Sequence, residues 1–223
     1  MNLLLRRLLT LLIPIIVPFF LMMTAIRVLF TPLFVQLEYR APGFPADMYG
    51  FTQQDRLKWA GISMEYLLNN AEIDFLSDQH LPDGAPLYNE RELSHMLDVK
   101  VLVQQMLVAW RILLAVLVGL GLWAWRGNWQ ADFARALSNG GKLTLALIAL
   151  ILVGVAVSFY ELFTYFHKIF FVGDTWLFFY TDTLIRLFPL RFWQDGFIVM
   201  GIVTVLGAIA LIIINNKWFR TRA

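Results

Sequence analysis

Two histidines, His95 and His167, are the residues of this 223-residue sequence best suited to moving a proton at neutral pH. An unperturbed imidazole titrates near ~6.5, so it can accept a proton and return it within one reaction cycle. Two of them at one site supply the base and the acid needed for attack on an ester. Asp98 lies three positions after His95 and shares its face on a helix, where a carboxylate orients an imidazole or stabilises its charged form. The same three side chains are a conceivable metal set, but i, i+3 spacing alone argues weakly for one, and neither metal nor cofactor is expected. His80 sits among turn-forming residues and reads as a solvated loop side chain. The chain has no cysteine, which excludes thiol nucleophiles, thiolate metal sites and disulfides. No G-x-S-x-G elbow, H-E-x-x-H helix or Walker-type glycine loop is present, and the basic residues are too sparse for a nucleic-acid site.

The elements that position these residues belong in lipid. Hydrophobic residues make up 59% of the chain and charged residues only 15%, and the mean hydropathy is +0.66. Four segments, 8–30, 101–123, 143–166 and 197–214, are apolar over the ~20 residues that a helix needs to cross a bilayer core. The first is too long for a signal-peptide core and no small-residue cleavage site follows it, so it reads as a retained span. The expected fold is an all-α membrane protein of four transmembrane helices. The N-terminus and first span occupy 1–30, a mainly helical extracytoplasmic cap 31–100, and the remaining three spans 101–223, joined by a cytoplasmic loop at 124–142 and an aromatic extracytoplasmic loop at 167–196.

Charge sets the orientation. The two termini and the 124–142 loop carry eight basic residues (Arg6, Arg7, Arg126, Arg135, Lys142, Lys217, Arg220 and Arg222) against Asp132 alone, which places both termini in the cytoplasm. The stretch 31–100 carries eleven acids and five basic residues and belongs outside. Within it, Thr52 with Asp55 and Asn89 with Glu92 have capping-box spacing, so helices should open at both places. The second should run through His95 and Lys100 into the next span. With alternating topology, His95 and His167 then lie on one membrane face. Tyr160, Thr164 and His167 recur at helical spacing, and the stripe is expected to face inward. Glu161, Arg27 and Arg111 lie in or near spans, and the carboxylate is expected to pair with one of the cations. The rings of the 167–196 loop, among them Phe171, Trp176 and Phe178, suit either a headgroup-level belt or the wall of a lipid-handling pocket.

The sequences Tyr88–Lys100 (YNERELSHMLDVK) and Tyr165–Phe171 (YFHKIFF) resemble a bacterial family of small four-span membrane proteins that includes the lipoprotein intramolecular transacylases. The likeness extends to four spans, a cap after the first, and a histidine at each junction of cap and membrane. It implies a membrane acyltransferase acting on lipoproteins whose N-terminal cysteine carries a diacylglyceryl thioether. The sn-2 acyl chain would move to the α-amino group of that cysteine, leaving a lyso-form lipoprotein. The resemblance also implies that His95 and His167 are the catalytic pair in a two-histidine acid/base mechanism, without assigning base or acid. Asp98, Tyr88, Tyr165, Asp174, Trp176 and Glu161 are the candidate supporting residues. The implied partners are a diacylated lipoprotein and membrane lipids, and the implied location is the bacterial cell membrane. The alternatives are a non-catalytic scaffold or lipid-binding protein working through its cap, and a metal-dependent membrane hydrolase.

Overall fold

The computed structural model describes residues 3–218, so Arg220 and Arg222 of the charge count lie outside the described residues. The chain is an all-α membrane protein. In order, its helices are α1 (Leu3–Leu29), α2 (Pro32–Glu38), α3 (Gln53–Leu68), α4 (Asp74–Ser77), α5 (Glu90–Arg126), α6 (Gln130–Val157), α7 (Phe159–Phe170), α8 (Thr183–Leu187) and α9 (Leu190–Trp218). Apart from an isolated bridge between His80 and Pro86, the regular structure of the described residues is helical. Four helices are long and apolar enough to cross a membrane: Leu3–Leu29, Glu90–Arg126, Gln130–Gly154 and Leu190–Asn216.

Three boundaries differ from the sequence expectation. The third span does not continue to residue 166. Ser158 adopts an extended backbone and its Oγ accepts the N–H of Glu161, so one helix stops and α7 begins. Most of 124–142 is helix, with a tight turn at Gly127–Asn128 where Asn128 takes a positive φ of 55°. Charged residues are compatible with helix, and Asp132, in the first turn of α6 where an acid is favoured, pairs with Arg6 and Arg135. The aromatic stretch 167–196 contains α8 and the first turns of α9.

The described residues form two compact units. The first comprises α1 to Arg27, Leu107–Val157 and the chain from Ile198. Its core gathers Ile13, Val17, Leu21, Ala136 and Ala208. Small residues let these helices approach closely, as expected where lipid offers no hydrophobic contrast. A Cβ placed on Gly140 would stand 2.5 Å from the Cβ of Val17, and one on Gly207 would stand 2.8 Å from Leu21. Trp110 adds a polar contact, donating to Thr24 Oγ1 at 3.0 Å.

The second unit, Val28–Met106 with Ser158–Phe197, holds all three histidines. Both capping boxes form. Thr52 and Asp55 exchange hydrogen bonds at the start of α3, and Asn89 and Glu92 do so at the start of α5. Arg56 is buried between the rings of Tyr39 and Phe44, and the guanidinium of Arg186 binds the Asp47 carboxylate and lies over Phe51. Lys100 fastens α5 to the end of α3, donating to Asn69 Oδ1 and the Ala71 carbonyl beneath the Tyr66 ring.

Glu92 is 1% exposed and does more than cap α5. One carboxylate oxygen accepts from Asn89 N at 2.8 Å and the other from Leu184 N at 2.6 Å, tying α5 to α8 across 92 residues of sequence. Thr183 strengthens the seam by donating to the Leu87 carbonyl.

Two outcomes follow for stability in detergent. Gly140→Val forces a branched side chain against Val17 and should destabilise by about 1–3 kcal/mol, whereas Gly154→Ala, whose added methyl meets open space, should not lower the thermal midpoint. Glu92→Ala orphans the buried Leu184 N–H at roughly 1–3 kcal/mol and removes the cap bond of the more exposed Asn89 N–H, and Glu92→Gln, which keeps an acceptor oxygen, should lose less. Equal midpoints for Glu92→Ala and the parent would contradict this assignment.

Candidate active site

His95 follows Glu92 by one helical turn on α5, whose 37 residues span roughly 55 Å at ~1.5 Å per residue. A bilayer core needs only ~30 Å. The apolar stretch 101–123 supplies that, and 90–100, which holds His95 and five charged residues, precedes it. His167 lies near the end of α7. Its Nδ1 sits 2.7 Å from the carbonyl oxygen of Phe163, one turn earlier. A carbonyl only accepts, so Nδ1 carries the proton and Nε2 presents its lone pair.

The ring centroids of the two imidazoles are 6.1 Å apart and their planes are inclined by 25°. That spacing sets both rings beside one small region, where a single substrate group could meet both. Both side chains are buried, each 8% exposed. Phe171 packs against both, at 4.9 Å from His95 and 5.5 Å from His167. Phe178 stands edge-on to His95 at 5.3 Å. Phe163 and Trp176 lie against His167 at 4.2 and 4.9 Å. Within this apolar box His95 Nδ1 has no hydrogen-bond partner. Burial, reinforced by the neighbouring imidazole, pushes His95 down to about 4. Burial also lowers His167, opposed by its bond to the Phe163 carbonyl. Both imidazoles are thus held neutral at pH 7.

The other sequence candidates are placed as follows. Trp176 joins the pair, its ring over His167 and its Nε1 donating to the Gly173 carbonyl at 3.1 Å. Asp98 is exposed, and Arg91 and Lys100 bind the Leu177 and Ala71 carbonyls. Tyr88 is buried with its hydroxyl on Ser63 Oγ at 2.8 Å, a contact that locks the cap to the start of α5. Tyr165 is 60% exposed, and Asp174 is exposed. Glu161 is exposed in the first turn of α7, and Arg111 donates to the Leu107 carbonyl of its own helix. The expected inward stripe on α7 is not uniform. His167 is buried but Tyr160, in the first turn, is exposed, because the face packed inward runs through Phe163 and His167. His80 is exposed, with Nδ1 on the Asp78 carbonyl. Among the described residues no group of three or more metal-ligating side chains is gathered.

Sequence reasoning found the capping role of Glu92 but not its bond to Leu184, since nothing local signals a partner 92 positions away. It grouped Phe171 and Phe178 with the belt aromatics without separating the rings that touch an imidazole from those that face outward.

Comparison with known proteins bears on this arrangement. The family described as lipoprotein intramolecular transacylase Lit matches residues 10–193. An uncharacterized protein of Aquifex aeolicus (strain VF5) is 25% identical over 218 residues, which are 96% of this chain and 98% of that one. The fold is similar to that of the membrane integral lipoprotein intramolecular transacylase Lit from Bacillus cereus, with a TM-score of 0.81 and 18% identity over 98% of this chain and 97% of the other. A histidine-to-alanine variant of the Bacillus protein aligns with a TM-score of 0.72 at 18% identity, over 98% of this chain and 95% of the variant. The structural likeness concerns the fold, and the sequence match spans more than half of the chain: it belongs to the lipoprotein intramolecular transacylase family.

Proposed function

We propose that this chain moves the sn-2 acyl chain of a diacylglyceryl-modified lipoprotein onto the α-amino group of the lipoprotein's N-terminal cysteine, and that His95 and His167 manage the protons. Family membership supports lipoprotein transacylase function. The single observation that carries the finer reading is the pair of buried imidazoles 6.1 Å apart inside an aromatic box.

Nucleophile and ester belong to one substrate molecule, so the enzyme need only fold that molecule and move protons. The α-amino group has a pKa of about 7.7–8.0 and must shed a proton to act as a nucleophile. His167 suits the base. Its Nε2 is the bare nitrogen, and the Phe163 carbonyl bound to Nδ1–H stabilises the imidazolium that forms. His95 then serves the oxygen. As a neutral imidazole without a fixed partner on Nδ1, it is free to turn an N–H toward the tetrahedral oxyanion. The new C–N bond forms as the amine proton passes to His167. The C–O bond to the glycerol breaks, and the leaving oxygen takes up the proton that His167 received, which returns His167 to its neutral form. The products are an amide and a free sn-2 hydroxyl, with no net gain or loss of atoms. The aromatic walls keep water from intercepting the acyl group, which favours transfer over hydrolysis.

In this reading the cap and both histidines face the extracytoplasmic side and the termini the cytoplasm, as the charge count requires.

In cells without other N-acylation of lipoproteins, His95→Ala and His167→Ala should each cut lyso-form lipoprotein by about a hundredfold or more while the protein still inserts. Mass spectrometry of a reporter lipoprotein measures this, and full activity in both variants would overturn the reading.

A further inference from the structure

The two imidazoles are nearly enclosed, each 8% exposed. Trp176 and Phe178 lie directly against them, yet an ester must reach His167 Nε2 for any chemistry to occur. The rings sit on α5 and α7, which hold their places through the Glu92 seam, the capping box and the helical hydrogen bonds. The segment 172–182 that carries Trp176 and Phe178 is different. It contains no helix, and its backbone bonds are local turns, Leu177 N to Asp174 O and Asp182 N to Phe179 O.

At one end is Gly173, whose φ of +74° favours glycine and whose missing side chain leaves open space. The other end is pinned where Thr183 and Leu184 bind Leu87 and Glu92. Between these points, apart from Phe178 on the His95 ring, the contacts with the start of α5 are exposed and polar. Arg91 Nη1 donates to the Leu177 carbonyl at 3.0 Å with its guanidinium over Phe179, and Asn89 Nδ2 donates to Asp182 Oδ1 at 3.1 Å. Asp174 and Thr181 are exposed, but the large outward side chains are apolar or aromatic. Val172 is 92% exposed and Tyr180 80%, with Phe179 and Leu177 beside them. Water does not stabilise such a face, whereas lipid does.

We infer that 172–182 is a lid, hinged at Gly173 and latched to α5 by Arg91, that lifts toward lipid to admit an acyl ester to the histidines. This rests on the transacylase reading. Closed, the lid holds Trp176 and Phe178 on the imidazoles and keeps the site dry. Open, it offers its apolar residues to the bilayer and clears the path to His167. The latch is an exposed bond that breaks readily, while the Glu92 seam behind it stays fixed.

The absence of native cysteine allows a direct test on the full chain in lipid nanodiscs. Arg91→Cys with Leu177→Cys, bridged by a short bis-maleimide, would tie the lid down. Two quantities are read: diethyl pyrocarbonate modification of each histidine by peptide mass spectrometry, with exposed His80 as the internal reference, and formation of lyso-form lipopeptide. Bridging should slow labelling of His95 and His167 relative to His80 and abolish turnover. Arg91→Ala alone should speed labelling of both by about tenfold, the population shift that one lost charge-assisted hydrogen bond allows. The lid is overturned if the bridged protein labels or turns over at the unbridged rate, or if Arg91→Ala leaves labelling unchanged. A parent that labels as expected yet forms no lyso-form product contradicts the transacylase reading alone, and the labelling results still decide the lid.

Discussion

The buried carboxylate of Glu92 holds the candidate site in register. It closes the capping box of α5 and accepts the backbone N–H of Leu184, so one side chain fixes the start of the helix that carries His95 and the end of the segment that carries Trp176 and Phe178. Burial pushes the Glu92 carboxyl above its usual range, opposed by the two backbone N–H groups that its oxygens accept. One turn beyond this anchor His95 lies beside His167, the ring centroids 6.1 Å apart.

An enclosure built this way is dry for a reason other than the hydrophobic effect alone. The imidazoles are surrounded by Phe163, Phe171, Trp176 and Phe178, none of which can keep an imidazolium hydrated. Neutral rings are the resting state that this environment imposes. An unfixed neutral imidazole beside one whose tautomer is set by a carbonyl gives two unlike groups from two identical residue types. Separate proton roles need that asymmetry, which comes from the Phe163 carbonyl being within reach of His167 while nothing comparable reaches His95.

Much of the fold was legible before any coordinates. The four apolar stretches, the capping boxes at Thr52 and Asn89 and the helical run from Asn89 past Lys100 rest on local patterns that propensity and hydropathy read well. The break at Ser158 was not legible, because a serine in an apolar helix is common and only its extended backbone shows that α7 starts anew. The histidines stood out by residue type and by resemblance. Asp98 looked like a partner for His95 because i, i+3 spacing allows contact, but spacing does not say which way a side chain turns, and Asp98 is exposed. The Glu92 to Leu184 bond and the choice of rings that touch the imidazoles depend on tertiary placement, which a single sequence does not record.

The central claim is that acyl transfer takes place within one substrate molecule under this pair of imidazoles. The most direct measurement uses purified protein in lipid nanodiscs and a synthetic diacylated lipopeptide carrying an isotopic label in its sn-2 chain alone. Because the rearrangement conserves intact mass, fragment ions must locate the label. The account predicts that it leaves the glycerol and appears as an amide on the N-terminal cysteine, with no labelled fatty acid released. A label that stays on the glycerol, or that is recovered as free fatty acid, would contradict it.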